Sequence, residues 1–125
     1  MVERSIMIFP KFSNISIIDN IRNAYDPLVD LIQPHITLVF PFESGYGLEE
    51  LKEHMENVLE GVKTFKLVMN NIVPNQAGGN YLFLTVTEGT DEIKRIHDRL
   101  YAGILESYYK KELPYMPHLT VGCID

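Results

Sequence analysis

Along this chain the apolar positions follow two rhythms, one repeating every second residue and one every third or fourth, and the rhythms alternate. Ser5–Phe9 (SIMIF) is apolar, β-branched and aromatic and is stopped by Pro10, which predicts a buried strand. Lys11–Ile15 reads as a loop. Ser16 can cap the helix after it, where Ile17, Ile18, Ile21 and Tyr25 recur at helical spacing. Asp26-Pro27 interrupts that helix, because proline disfavours helical backbone in the residue before it. Leu28–Ile32 is a further turn, with Asp26 as its cap and Pro27 at its first position. Pro34 ends it. From His35 to Phe40 the spacing is that of a strand, with Ile36, Leu38 and Phe40 on one face and His35, Thr37 and Val39 on the other.

Pro41–Gly47 is rich in turn residues and reads as a loop. Leu48–Leu59 places Leu48, Leu51, Met55, Val58 and Leu59 on one stripe between glutamates and lysines, a surface helix closed by Gly61. Phe65–Val73 is a strand, Pro74–Asn80 (PNQAGGN) a loop and Tyr81–Thr87 (YLFLTVT) a strand. Thr90 caps a third helix, with Asp91 and Glu92 in its first turn and an apolar stripe of Ile93, Ile96, Leu100, Ile104 and Leu105. Pro114 and Pro117 end the connection to a last strand, His118–Ile124.

The predicted order is strand, helix, strand, helix, strand, strand, helix, strand. It contains one unit twice: a strand–helix–strand that closes on His-x-Thr. The repeat is too long for a solenoid and fits a duplicated half-domain. After the first copy the chain continues into a helix and a strand, whereas after the second it stops at Asp125. Either the second half is abbreviated or the sequence is a piece of a longer chain. The second reading is preferred, since the last strand otherwise lacks covering elements and leaves apolar surface open.

With 125 residues, 46% apolar and 22% charged, the chain has the size and composition of one globular domain. A net charge of −6 argues against an extended basic surface for duplex DNA or long RNA, but not against a small anion held by a few donors. The single Cys123 cannot form an intramolecular disulfide, so a reducing cytoplasm is the expected compartment. The apolar run before Pro10 is too short for a signal peptide, and nothing approaches the roughly 20 apolar residues of a membrane helix.

The two closing motifs are PHITL at Pro34–Leu38 and PHLTV at Pro117–Val121. With four His and six Thr in the chain, chance supplies roughly 0.2 His-x-Thr matches, so two with the same flanks are informative. On a strand, His35 and Thr37 project from one face about 7 Å apart, as do His118 and Thr120. If the copies meet about a pseudo-twofold axis, all four line one groove. Opening a phosphodiester needs a base for the nucleophile and an acid for the leaving oxygen, and imidazole can serve as either near neutral pH. The threonine hydroxyls can donate to the non-bridging oxygens. No metal or cofactor is called for.

On these residues the chain resembles the 2H phosphoesterase superfamily, in the branch around the bacterial 2′-5′ RNA ligase-like proteins. The succession of elements and the VFPF that extends the first motif also fit. The resemblance implies an α+β fold of two antiparallel-sheet lobes around a central cleft, helices outside. It also implies metal-independent hydrolysis of cyclic phosphodiesters, typically 2′,3′-cyclic phosphates of a nucleotide or an RNA end. His35 and His118 are then catalytic, and Thr37 and Thr120 bind substrate. Family members usually continue for a helix and further strands after the second motif, which this chain lacks. Alternative readings are 2′-5′ RNA ligation, an ADP-ribose cyclic phosphate as substrate, or a non-catalytic nucleotide-binding module.

Other residues enter as weaker candidates. Lys11 can approach a phosphate, and Phe42 and Tyr115 can stack on a base. Cys123 lies an odd number of positions from His118 and is expected to face away from it. His54 reads as a helix-surface residue, His97 as half-buried beside the third helix's stripe, and Gly78-Gly79 as a turn.

Overall fold

The computed structural model describes residues 1–76 and 79–124. Its elements are β1 (Val2–Ile8), α1 (Ile15–Tyr25), β2 (Ile36–Ser44), α2 (Leu48–Leu59), β3 (Val68–Asn75), β4 (Tyr81–Glu88), α3 (Thr90–Leu100), a 3-10 turn (Gly103–Tyr108) and β5 (His118–Cys123). The predicted order of strands and helices holds. The strands form one antiparallel sheet in the order β1-β2-β5-β4-β3. It has two parts, β1 with β2 and β5 with β4 and β3, joined at the β2–β5 seam by the pair Ile36–Leu119. The α+β class and the two-lobe arrangement are as expected. Among the described residues no helix is long and apolar enough to cross a membrane.

The helices cover the lobes crosswise. Helix α1, which connects β1 to β2, packs on β5, and α3, which connects β4 to β5, packs on β2. Two clusters result. Ile36, Leu38 and Val39 meet Leu51, Val58, Ile93, Ile96 and Leu100 of α2 and α3, while Leu119 and Val121 meet Ile18 of α1 and Leu84. Burying that apolar surface is the main force holding the helices to the sheet.

Several boundaries differ from the sequence reading for local reasons. Ser16 lies inside α1, whose N-cap is Asn14, and the buried face is Ile18 and Arg22, with Ile17 and Tyr25 exposed. Strand β2 runs on through Pro41 to Ser44, where a loop was expected, because Glu3 and Val2 of β1 pair with Glu43 and Ser44. Pro41 is accommodated at a register shift between Arg4 and Ile6, where its missing N–H is tolerated. A second shift, between Ile6 and Met7, resets the alternation. Val39 is therefore in the core and Phe40 is turned out, the reverse of their predicted faces.

Strand β3 starts at Val68 rather than Phe65, and takes in Pro74 and Asn75, which pair with Leu82 and Tyr81. Of the predicted Gly78-Gly79 turn, Gly78 lies outside the described residues. The α3 N-cap is Gly89 at φ +95°, and Thr90 Oγ1 instead donates to the Val86 carbonyl at 3.2 Å. Ile104 and Leu105 fall in the 3-10 turn, not in α3, after the helix closes at Tyr101.

Candidate active site

The route into the first motif is fixed by a residue whose sequence gave no hint of its role. Arg22 is 3% exposed. Its Nε donates to Asp26 Oδ2 at 2.7 Å, and its Nη2 to the carbonyls of Ile32 at 2.7 Å and Leu28 at 3.3 Å. Asp26 Oδ1 also accepts from the Leu28 N–H at 2.9 Å, the cap expected of it. A buried guanidinium with paired donors thus folds residues 26–32 into turns and delivers the chain to Pro34 at a fixed angle.

Ile36 and Leu119 are paired across the seam, both wholly buried toward the helices. Side chains one position away on a strand point to the opposite face. That face carries His35 and Thr37 of the first motif, and His118 and Thr120 of the second. Extending the register by one residue each way sets His35 beside Thr120 and Thr37 beside His118. Such neighbours have Cβ atoms about 5 Å apart, and the two histidines lie on the diagonal, at about 7–8 Å. The four motif residues are therefore gathered around one pair, with a local twofold axis passing through it.

The two imidazoles are held alike. His35 Nδ1 lies 2.9 Å from the Gln33 carbonyl and His118 Nδ1 lies 2.8 Å from the Met116 carbonyl, each two residues back across a proline. The carbonyl can only accept, so each Nδ1 carries the proton and each Nε2 is left for chemistry. Proline's fixed φ supplies the bend that brings the carbonyl back to its ring. His118 is also stacked on Phe83, with centroids 3.7 Å apart and planes 19° apart, and Phe9 lies 6.0 Å from His35. Burial pushes the His118 pKa below its ordinary value. The Met116 carbonyl opposes that shift, and the charge of His35 adds to it.

Where β2 and β5 part, two tyrosines satisfy backbone groups of β2. The Tyr115 hydroxyl donates to the Thr37 carbonyl at 2.8 Å, and the Phe40 N–H donates to the Tyr101 hydroxyl at 3.0 Å. Burial, with a smaller effect from Tyr101, raises the Tyr115 pKa, so it stays a phenol that can donate. Tyr115 thus braces the strand bearing Thr37, and its ring is stacked on His97 at 3.8 Å. Phe42, expected to meet a base, is 6% exposed and packs against Tyr108 in the core, because the shift at Pro41 turns it inward. Lys11 is exposed in the loop between β1 and α1, with no hydrogen bond or ion pair among the described residues.

Three further expectations change. Cys123 pairs with Tyr81, which stacks on Phe83, so a register shift between Leu82 and Phe83 brings it onto the His118 face. His54 is not a free surface residue: its Nε2 donates to the Leu100 carbonyl at 2.7 Å, closing the end of α3 from α2. His97 is 2% exposed, beyond the half-burial its spacing suggested. Phe83 and Arg22 were missed altogether. Strand parity could have flagged Phe83 as a face-sharing aromatic, but only the sheet order reveals which strand it neighbours.

The family model described as the 2′-5′ RNA ligase superfamily matches residues 9–123. A Bacillus licheniformis protein named "Putative phosphoesterase" is 31% identical over 118 residues, covering 94% of this chain and 68% of its own length. Proteins of the same name from Geobacillus thermodenitrificans and Bacillus cereus are each 29% identical over 118 residues, covering 66% and 67% of their lengths. The chain thus spans about two thirds of the length of these relatives. With the match running through both His-x-Thr strands, the chain belongs to the 2′-5′ RNA ligase superfamily, within the 2H phosphoesterases.

Proposed function

We propose that the chain opens a 2′,3′-cyclic phosphate, on a nucleotide or an RNA end, by metal-independent acid–base catalysis. The observation that carries this reading is the Ile36–Leu119 pair, which gathers His35, Thr37, His118 and Thr120 on one face. The matched Nδ1–carbonyl bonds support it, because they leave both Nε2 atoms for proton transfer.

The lowered His118 pKa favours His118 as the base, with His35 as the acid. His118, kept neutral by burial, takes a proton from water through Nε2 as the water oxygen attacks phosphorus. The P–O bond to one ribose oxygen breaks in line with the new P–O bond, and the Nε2 proton of His35 passes to that leaving oxygen. Thr37 and Thr120 donate to the non-bridging oxygens, whose charge is carried throughout. The products are a phosphomonoester and a free ribose hydroxyl, and the two histidines have exchanged protonation states. This route runs from the form in which His118 is neutral and His35 carries the second proton.

The test is turnover of a panel of 2′,3′-cyclic nucleotides, an RNA 2′,3′-cyclic end and an ADP-ribose cyclic phosphate, with and without EDTA. Hydrolysis unaffected by EDTA, with one product isomer, is expected. Joining of RNA ends in preference to hydrolysis would move the reading to a ligase. Tight binding without turnover of any member would replace it with a nucleotide-binding module.

A further inference from the structure

The two motifs are related by a local twofold axis, and the strands that flank them show where that symmetry fails. On one side Thr120 pairs with Phe83 of β4, and His118 with Thr85. On the other Thr37 pairs with Met7 of β1, and the register carried one residue further sets Phe9 beside His35. The position that Phe83 holds at the second motif is therefore held by Met7 at the first. We propose that Phe83 is the positioning residue that makes the two histidines unequal, lying flat against His118 and fixing it as the base. This rests on the phosphodiesterase reading and deepens it, by naming what in the fold separates base from acid.

Geometry carries it. The Phe83 and His118 rings have centroids 3.7 Å apart and planes 19° apart, so one face of the imidazole is covered. Phe9 lies 6.0 Å from His35 and is tilted by 54°, an oblique contact rather than a cover. Tyr81 stacks on Phe83 in turn, at 6.2 Å and 20°, and supports it along β4. The Nδ1 bond to the Met116 carbonyl fixes one edge of the His118 ring, and the face of Phe83 fixes its plane. A ring restrained at an edge and a face keeps Nε2 in one orientation, as proton transfer from an in-line nucleophile requires. His35 has the first restraint, from the Gln33 carbonyl, and lacks the second.

Such a contact brings two opposed effects on the proton. A ring face attracts an imidazolium and so favours protonation. The same ring keeps water from one side of the imidazole and so disfavours it. Burial is the largest influence on His118 and acts downward; the Met116 carbonyl opposes it, and the charge of His35 across the seam adds to it. From β4 come Thr85 and, beyond Phe83, Tyr81, whose pair on β5 is Cys123. The exclusion of water therefore outweighs the attraction, and the ring that Phe83 holds in place is also the one that starts neutral. Both properties belong to a base.

Proton NMR of the histidine Hε1 signals through a pH titration, with no substrate present, tests this alongside kcat and KM for a 2′,3′-cyclic nucleotide. The wild type is compared with F83A, F83L and F83Y, and H118Q assigns the His118 signal. In the wild type that signal should lie upfield of the His35 signal, shielded by the stacked ring. F83A should move it downfield and raise its titration midpoint toward that of an ordinary imidazole, carrying the acidic limb of kcat/KM with it. In F83A and F83L kcat should fall about tenfold with KM within about twofold, while F83Y, which keeps the ring, should behave as the wild type. A wild-type signal with no upfield displacement overturns the proposal, as does an unmoved or lowered midpoint in F83A. Wild-type kcat in F83L also overturns it, and decides the matter even if F83A fails to fold. A midpoint that rises as stated, with no cyclic phosphate hydrolysed, upholds the hold of Phe83 on His118 and removes the phosphodiesterase reading. Hydrolysis with an unmoved midpoint removes the role of Phe83 and leaves that reading intact.

Discussion

Ile36 and Leu119 face each other across the β2–β5 seam, and the juxtaposition of the two His-x-Thr motifs hangs on that one pair. Both are wholly buried, Ile36 beneath α2 and α3 and Leu119 beneath α1. Neither residue bears chemistry. Yet their pairing sets the register that places each histidine beside the other motif's threonine, and two of the helices over them, α1 on β5 and α3 on β2, come crosswise from the opposite halves of the chain.

The pH dependence has a definite sign. Burial lowers the His118 pKa in the folded protein, so the unfolded chain takes up this proton first on acidification. The stability associated with the neutral ring is full above about pH 6.5 and is lost as pH falls through the folded value. Urea midpoints measured from pH 8 to pH 5 should decline less in H118Q than in the wild type. In kinetics, the acidic limb of kcat/KM should lie below the ordinary imidazole value; a limb at or above it reverses the acid and base assignments.

Tyr115→Phe tests the brace on β2. It removes the hydroxyl that serves the Thr37 carbonyl while keeping the ring on His97. We expect a stability loss of about 1 kcal/mol and a several-fold fall in kcat, with KM for ribose 2′,3′-cyclic phosphate little changed. An unchanged melting temperature together with an unchanged kcat would show the bond to be dispensable.

Gly89→Ala tests the entry to α3. Gly89 is left-handed at φ +95°, and a Cβ there would sit 2.7 Å from the Lys66 carbonyl oxygen. Strain and clash together should cost about 1–3 kcal/mol, read as a lowered urea midpoint with an unchanged slope. Wild-type stability in the variant would mean that the turn relaxes.

How much of this could be read from the residues alone differs by level. The element order and the two motifs were legible because the apolar period switches cleanly and because Pro-His-x-Thr occurs twice. The shared face of each His and Thr followed from strand parity, which holds as long as a strand is regular. It failed where strands were irregular: the shifts in β2 exchanged Val39 and Phe40 and buried Phe42, and the shift near Phe83 moved Cys123. The role of Arg22 was invisible because, besides Asp26 one turn on, its partners are backbone carbonyls six and ten residues on, which any sequence supplies. The environment of His97 depends on Tyr101, Tyr109 and Tyr115, whose rings converge only after the segment following α3 folds back.

The central claim, that two histidines serve one phosphate, is tested most directly by turnover of a 2′,3′-cyclic nucleotide in H35A, H118A and the double variant. Each single change should lower kcat by about 10²–10⁴-fold with the fold intact by circular dichroism, and the double variant should be little worse than either, as for groups that act as a unit. Wild-type turnover in either single variant contradicts the account.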